Sequence, residues 1–321
     1  MAKQLKIVDL GGVYMPYDIS EKLKIAVTTR AIFKLENENE IFEKKGRAEY
    51  EKYQTEHEDD ILVPGAAYSL VTALLKLNSI EKLNHKIEVI IVSRNSVNTS
   101  LRVFNSFKNY NLDISRGIFT GGGDLAPYLE ALKIDLFLTA NRHDAQAAIN
   151  RKVPAATLLT NNIPDYNQGD SISEIRIAFD GDAVLFSEES EAIYKQKGLD
   201  AFAANEELNA KSPMNEGPFA KFLKTISEIQ KTIQDTDLNI RTALVTARNA
   251  PSHERVVRTL RAWDVCIDEA FFLGGISKTE VLKAFGAHIF FDDQMTYTEA
   301  ASSVVPSGTV PYQAGSTLYR E

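Results

Sequence analysis

Short apolar runs recur along the chain at Lys24–Thr28, Glu88–Ser93, Asp135–Thr139, Ile175–Phe179, Thr242–Thr246 and His288–Asp292. They are rich in Val, Ile and Phe, the pattern of strands buried on both faces. Between them lie stretches with helical spacing of apolar positions: Tyr68–Leu77, Pro218–Ile229, Ser252–Trp263 and Lys278–Phe285. The alternation predicts an α/β fold, with parallel strands joined by helical crossovers. In such sheets ligands sit at the carboxyl ends of the strands. A polar stretch, Asn161–Ser173, reads as a linker. It divides the chain into units 1–164 and 165–321. Ser187–Pro218 and Glu36–Pro64 are highly charged. Each is either a solvated helical face or a small helical cover over a site, at about 187–217 in the second unit. The tail from Ser302, with Pro306, Gly308, Pro311 and Gly315, reads as an extended arm or a disordered end.

The two halves resemble each other. Ile25–Ala31 aligns with Ile177–Ala183, Glu40–Gly46 with Ala192–Gly198, and Pro64-Gly65 with Glu216-Gly217. After a slip of one residue, Ile91–Ser93 aligns with Leu244–Thr246, Arg102-Val103 with Arg255-Val256, and Phe137–Ala140 with Phe290–Asp293. A spacing held over more than a hundred residues points to an internal duplication. The bland alternative is that strand-turn-helix units look alike. The copies differ in their charges. Asp180, Asp182, Lys278, Asp292 and Asp293 in the second half stand where the first has Thr28, Arg30, Leu125, Thr139 and Ala140.

Composition narrows the partners. A net charge of −8 argues against a nucleic-acid polymer, which wants a basic face. A small phosphorylated ligand stays open, since a few local cations suffice. No apolar run approaches the ~18–20 residues of a membrane helix, so no membrane partner is expected. The single cysteine, Cys266, and an N-terminus lacking a long apolar segment suggest a cytoplasmic protein. A homo-oligomer stays open.

Three of the apolar runs end in groups that carry chemistry. Asp180-Gly181-Asp182 follows one run, and residues i and i+2 leave a strand on the same side. Taken alone, the triplet could equally be a turn held by Asx hydrogen bonds. Asp292 and Asp293 close another run. Carboxylates converging at one sheet edge repel each other, and a hard cation such as Mg²⁺ is the usual remedy. Thr246 ends a third run with a hydroxyl, and Lys278 opens a helical stretch after Gly274-Gly275. A helix start bearing a cation seats phosphate well. Together these groups make a site for a phosphoryl group. Arg248 and Asn249, just after Thr246, either touch substrate or cap the next helix.

In order, the motifs read FDGDAV, LVTAR, GGISK and IFFDDQ. The set resembles the haloacid dehalogenase (HAD) superfamily of phosphatases. The longer strings IAFDGDAVLFSEESE, LVTARNAPSHERVVRTLRAW, DEAFFLGGISK and the late VPSGTVPY resemble one branch, the cytosolic 5′-nucleotidase I family. The resemblance runs from about Ile25 to Tyr312 and implies a HAD-like Rossmannoid parallel sheet flanked by helices. It implies that Asp180 is the nucleophile and forms an aspartyl-phosphate, and that Asp182 is general acid, then general base. Thr246 and Lys278 would bind phosphate. Asp180, Asp182 through its backbone carbonyl, and Asp292 or Asp293 would hold Mg²⁺, with Asp292 favoured as the direct ligand. The implied activity is hydrolysis of nucleoside 5′-monophosphates, AMP first. Arg30, Ser93, Arg94 and Asn95 are further substrate candidates, and the first half would be a non-catalytic copy. The alternatives are a HAD phosphatase acting on another small phosphoester and a nucleotide-binding regulator without turnover.

Overall fold

The structure is a computed structural model that describes residues 17–83, 86–160 and 173–319. The expected linker lies outside the described residues, apart from Ser173, and so does the boundary between 164 and 165. The first half contributes strands β1 (Leu23–Val27), β2 (Ile87–Ser93), β3 (Arg116–Phe119), β4 (Leu136–Thr139) and β5 (Ala155–Leu158). The second contributes β6 (Glu174–Phe179), β7 (Asn239–Thr246), β8 (Glu269–Phe272), β9 (Ile289–Asp292) and β10 (Ser307–Thr309). All ten lie in one sheet, in the order β3-β2-β1-β4-β5-β10-β9-β6-β7-β8. Every pair is parallel except β5 with β10. Helices connect the strands, so the α/β class and the parallel Rossmann-like sheet expected from the sequence are present.

The strand order is a palindrome: β1 corresponds to β6, β2 to β7, β3 to β8, β4 to β9 and β5 to β10. The two halves therefore repeat one topology about a pseudo-twofold axis at the β5–β10 seam. Details repeat as well. The helices Glu36–Glu56 and Glu189–Leu208 are both broken at a glycine, Gly46 (φ 80°) and Gly198 (φ 82°), where only a residue without Cβ turns so freely. Arg102 Nε donates to the Asp60 carbonyl at 3.0 Å, and Arg255 Nε to the Ser212 carbonyl at 3.0 Å. The Leu62 amide donates to Ser106 Oγ and the Met214 amide to Thr259 Oγ1, each at 3.0 Å. A general likeness between α/β units does not reproduce side-chain bonds at matching positions; a duplication does.

The tail corrects an expectation. Part of it is a strand of the sheet: Ser307–Thr309 forms β10, inserted between β5 and β9 in the middle of the sheet. Gly308 at its centre is a poor strand former, and the slot requires it. A Cβ on Gly308 would come within 2.8 Å of Leu158 Cδ2 and 3.1 Å of Ala156 Cβ. Beneath the second half, Phe179, Phe219, Phe222 and Phe291 are fully buried, with the Phe219 and Phe291 rings 4.8 Å apart. Burying each such ring contributes about 1.5–3 kcal/mol. This core fixes the strand ends from which the site projects.

Because β5 and β10 run antiparallel, the carboxyl ends of the two half-sheets lie on opposite edges. Five inter-strand steps separate β1 from β6, about 24 Å at ~4.8 Å each.

Candidate active site

Two strand ends and one helix start of the second half bring the charged residues together. Asp180 follows β6, and its amide donates to the Phe291 carbonyl at 2.7 Å, which ties the loop to β9. The chain then makes a wide turn over Gly181–Leu185, with Asp182 extended (ψ 137°) and Ala183 in the left-handed region (φ 61°). A non-glycine residue there carries strain, a feature that clusters at functional sites. Asp292 ends β9, with Asp293 next to it. Lys278 opens the helix Lys278–Phe285, whose N-cap Ser277 accepts from the Thr279 amide.

Lys278 Nζ donates to Asp180 Oδ1 at 2.5 Å and to Asp292 Oδ2 at 2.6 Å. The Tyr297 ring lies 4.6 Å from the ammonium. Asp292 Oδ1 accepts from the Gln294 amide at 2.8 Å. Asp293 accepts a short hydrogen bond from the Tyr312 hydroxyl. All four charged side chains are buried. Burial, opposed by Lys278 and aided by Asp292, raises the Asp180 carboxyl to about 7. Burial, then Asp292 and Asp180, push Asp293 well above the usual carboxylate range. Burial pulls Lys278 down, but Asp180 and Asp292 outweigh it and hold its ammonium above its ordinary value.

Ligand oxygens of Asp180, Asp292 and Asp293 lie within 4.8 Å of one another. Three buried carboxylates face one ammonium, an excess of acid that burial penalises. An all-oxygen, acid-rich donor set suits a hard divalent cation. The residues present therefore fit a metal centre.

Arg248 forms the second knot. Its Nε and Nη2 each donate at 2.7 Å, one to each oxygen of Asp182, and its Nη1 donates to Glu206 Oε2 at 2.5 Å. Glu206 also accepts from Arg255 at 3.0 Å and from Ser190 Oγ at 2.8 Å. Burial raises the Glu206 carboxyl, but Arg248 pulls it to a net value below its ordinary one. Thr246, buried at the end of β7, accepts from the Arg248 amide at 3.2 Å.

The sequence candidates thus separate into groups. Asp180, Lys278, Asp292 and Asp293 meet directly. Asp182 joins through the loop and Arg248, and Thr246 lies beneath Arg248. Asn249 is exposed and packs beside Gly274. Arg30, Ser93, Arg94 and Asn95 are not brought here; they line a cavity at the opposite edge of the sheet, on the first half. Three participants escaped the sequence reading. Glu206 sits in a charged helix with no sign of burial, although its counterpart in the repeat is the uncharged Gln54. Arg255 matches Arg102 in the repeat, and the match alone does not reveal its bond to Glu206. Tyr312 lies in the tail, where its backbone carbonyl also accepts from Gln146 of the first half at 2.8 Å.

The sequence also matches known proteins. A family model described as 5′-nucleotidase matches residues 15–317. Human cytosolic 5′-nucleotidase 1B is 37% identical over 289 residues, covering 87% of this chain and 47% of the human protein. The chain thus spans about half the length of that relative. No solved structure matches it. With the motifs, the topology and both matches in agreement, the chain belongs to the 5′-nucleotidase family, in its cytosolic type I branch.

Proposed function

We propose that the second half, residues 165–321, hydrolyses nucleoside 5′-monophosphates, AMP first, to nucleoside and phosphate in the cytoplasm. The observation that carries the reading is the buried cluster in which Lys278 bridges Asp180 and Asp292 beside Asp293, in a chain of this family. Asp180 attacks phosphorus in line with the departing ribose oxygen and becomes an aspartyl-phosphate. Asp182 gives its proton to that oxygen, then takes one from the water that cleaves the acyl phosphate. Both oxygens of Asp182 already accept from Arg248. Each oxygen keeps a second lone pair that can carry the proton, so Arg248 aims the acid without blocking it. Lys278 and the Thr246 hydroxyl donate to the phosphoryl oxygens and offset their charge.

Mg²⁺ would be held by Asp180, the Asp182 carbonyl and Asp292, with Asp293 as a further ligand or its support. When bound it supplies Lewis-acid stabilisation of phosphoryl charge. Phosphate release from AMP, IMP, CMP, UMP and their deoxy forms, with Mg²⁺ or EDTA, tests the reading. Metal-dependent release that Asp180→Asn abolishes supports it. Absence of release from every nucleotide by folded protein with Mg²⁺ refutes it, and release only from other phosphoesters changes the substrate class.

A further inference from the structure

The first half has its own crevice at the carboxyl ends of β1, β2 and β4, with a cavity of about 410 Å³. It occupies the position, under the pseudo-twofold, that the Asp180 cluster occupies in the second half. The volume lies in the range of small-ligand sites. Its chemistry is inverted. Thr28 stands for Asp180, Arg30 for Asp182, Ser93 for Thr246, Thr139 for Asp292 and Ala140 for Asp293. Each catalytic acid has become neutral or basic.

Two observations point to a ligand. First, Thr28 Oγ1 and Arg30 Nε are buried polar atoms without a hydrogen-bond partner, and both residues line this cavity. Native proteins leave few such groups unsatisfied. Second, one lining cation has no acid beside it among the described residues. Arg30, Arg47 and Arg94 and the acids Glu38, Glu51 and Asp144 line the cavity in equal number. Arg47 pairs with Glu51 at 2.8 Å, Arg94 with Asp144, and Glu38 with Arg102 behind the wall at 2.8 Å, which leaves Arg30 with the neutral Asn39 and free to meet an anion. Arg30 is braced by Asn39 at 3.0 Å and Arg94 by Asp144 at 2.5 Å, so both guanidinium groups are pre-positioned. The catalytic cluster has acids in excess and calls for a cation before it can accept phosphate. This one does not. Phe42 and Tyr50 line the same space, their rings edge-to-face at 5.8 Å, and offer an apolar wall to a base.

We infer that the first half is a second nucleoside-phosphate site, which binds its ligand without metal and without turnover. With a threonine where the nucleophilic carboxylate would stand, no acyl phosphate forms there. The nucleoside part of the ligand rests on the function proposed for the catalytic half; the anion part rests on this cavity alone.

Equilibrium dialysis of the full chain against labelled AMP in EDTA tests the inference. Saturable binding is expected, retained by Asp180→Asn and weakened about tenfold or more by Arg30→Met, as for loss of a charge-assisted phosphate contact. Thr28→Val, which removes the orphaned hydroxyl at nearly constant volume, should weaken it severalfold. Unchanged unfolding midpoints confirm that the variants are folded. No saturable binding at millimolar AMP overturns the inference. So does binding that Asp180→Asn abolishes while Arg30→Met leaves it intact. Inorganic phosphate binding as tightly as AMP overturns the nucleoside assignment. Lost binding with intact Mg²⁺-dependent hydrolysis sinks this site alone; intact binding without hydrolysis sinks the catalytic reading alone.

Discussion

Removing the Arg248 fork isolates one buried charge, and the cost follows from its contacts. In Arg248→Met, Glu206 keeps Arg255 at 3.0 Å, so its carboxylate retains a cation. Asp182 loses both of its 2.7 Å bonds. It is buried, so the loss resembles breaking a buried ion pair, about 3–5 kcal/mol. That is a large part of the ~5–15 kcal/mol by which proteins are stable. Arg248→Lys keeps the charge and loses the fork, for about 1–3 kcal/mol. Adding Asp182→Asn to Arg248→Met removes the orphaned charge and should restore about 2 kcal/mol, a coupling typical of contacting residues. Urea unfolding in EDTA measures all four proteins. A loss below about 1 kcal/mol in Arg248→Met, or a double mutant no more stable than the single, refutes the claim that the fork neutralises Asp182.

Other perturbations separate the metal site, the seam and the acid response. Tyr312→Phe removes the donor to Asp293; the Mg²⁺ concentration for half-maximal hydrolysis should rise about 10–100-fold, as when the support of a metal ligand is lost, and an unchanged requirement contradicts that role. Gly308→Val forces side-chain atoms against Leu158 and Ala156 and should cost about 1–3 kcal/mol, read as a lower unfolding midpoint. His288 accepts from the Arg176 amide at 3.1 Å, and burial holds its pKa below the ordinary 6.5. The unfolded chain therefore takes the proton first. This contribution to stability is present above pH 6.5 and is lost as pH falls, at up to about 1.4 kcal/mol per pH unit. His288→Gln should flatten that acid limb, and equal slopes in both proteins contradict the assignment.

The apolar runs announced β1, β2, β4, β6, β7 and β9 because strands buried on both faces need continuous hydrophobic residues. The outermost strands β3 and β8 are four residues long and partly exposed, so Arg116-Gly117 and Glu269-Ala270 break the pattern. The seam strands β5 (AATL) and β10 (SGT) are short and carry Ala, Ser and Gly, so no apolar run marks them, and tertiary pairing decides their place. The Asp180 cluster was legible because strand ends are where a parallel sheet gathers function. Glu206 was not, since burial of one acid in a charged helix depends on Arg248 and Arg255 arriving from elsewhere. The cavity of the first half was legible only as a list of charge differences, until the strand directions placed it on the far edge.

The position of β10 also sets an order of assembly. Every other strand of the sheet leaves the ribosome before it, yet it fills the middle of the finished sheet. Until Ser307–Thr309 arrives, β5 and β9 present bare edges to solvent and to other chains, the condition that favours mispairing and aggregation. A chain stopped just short of Ser307 would keep every charged group of the Asp180 cluster and lose the strand that joins its two halves. For this protein, truncation just before Ser307 is expected to cost soluble yield through the bared edges of β5 and β9 rather than through loss of a catalytic charge.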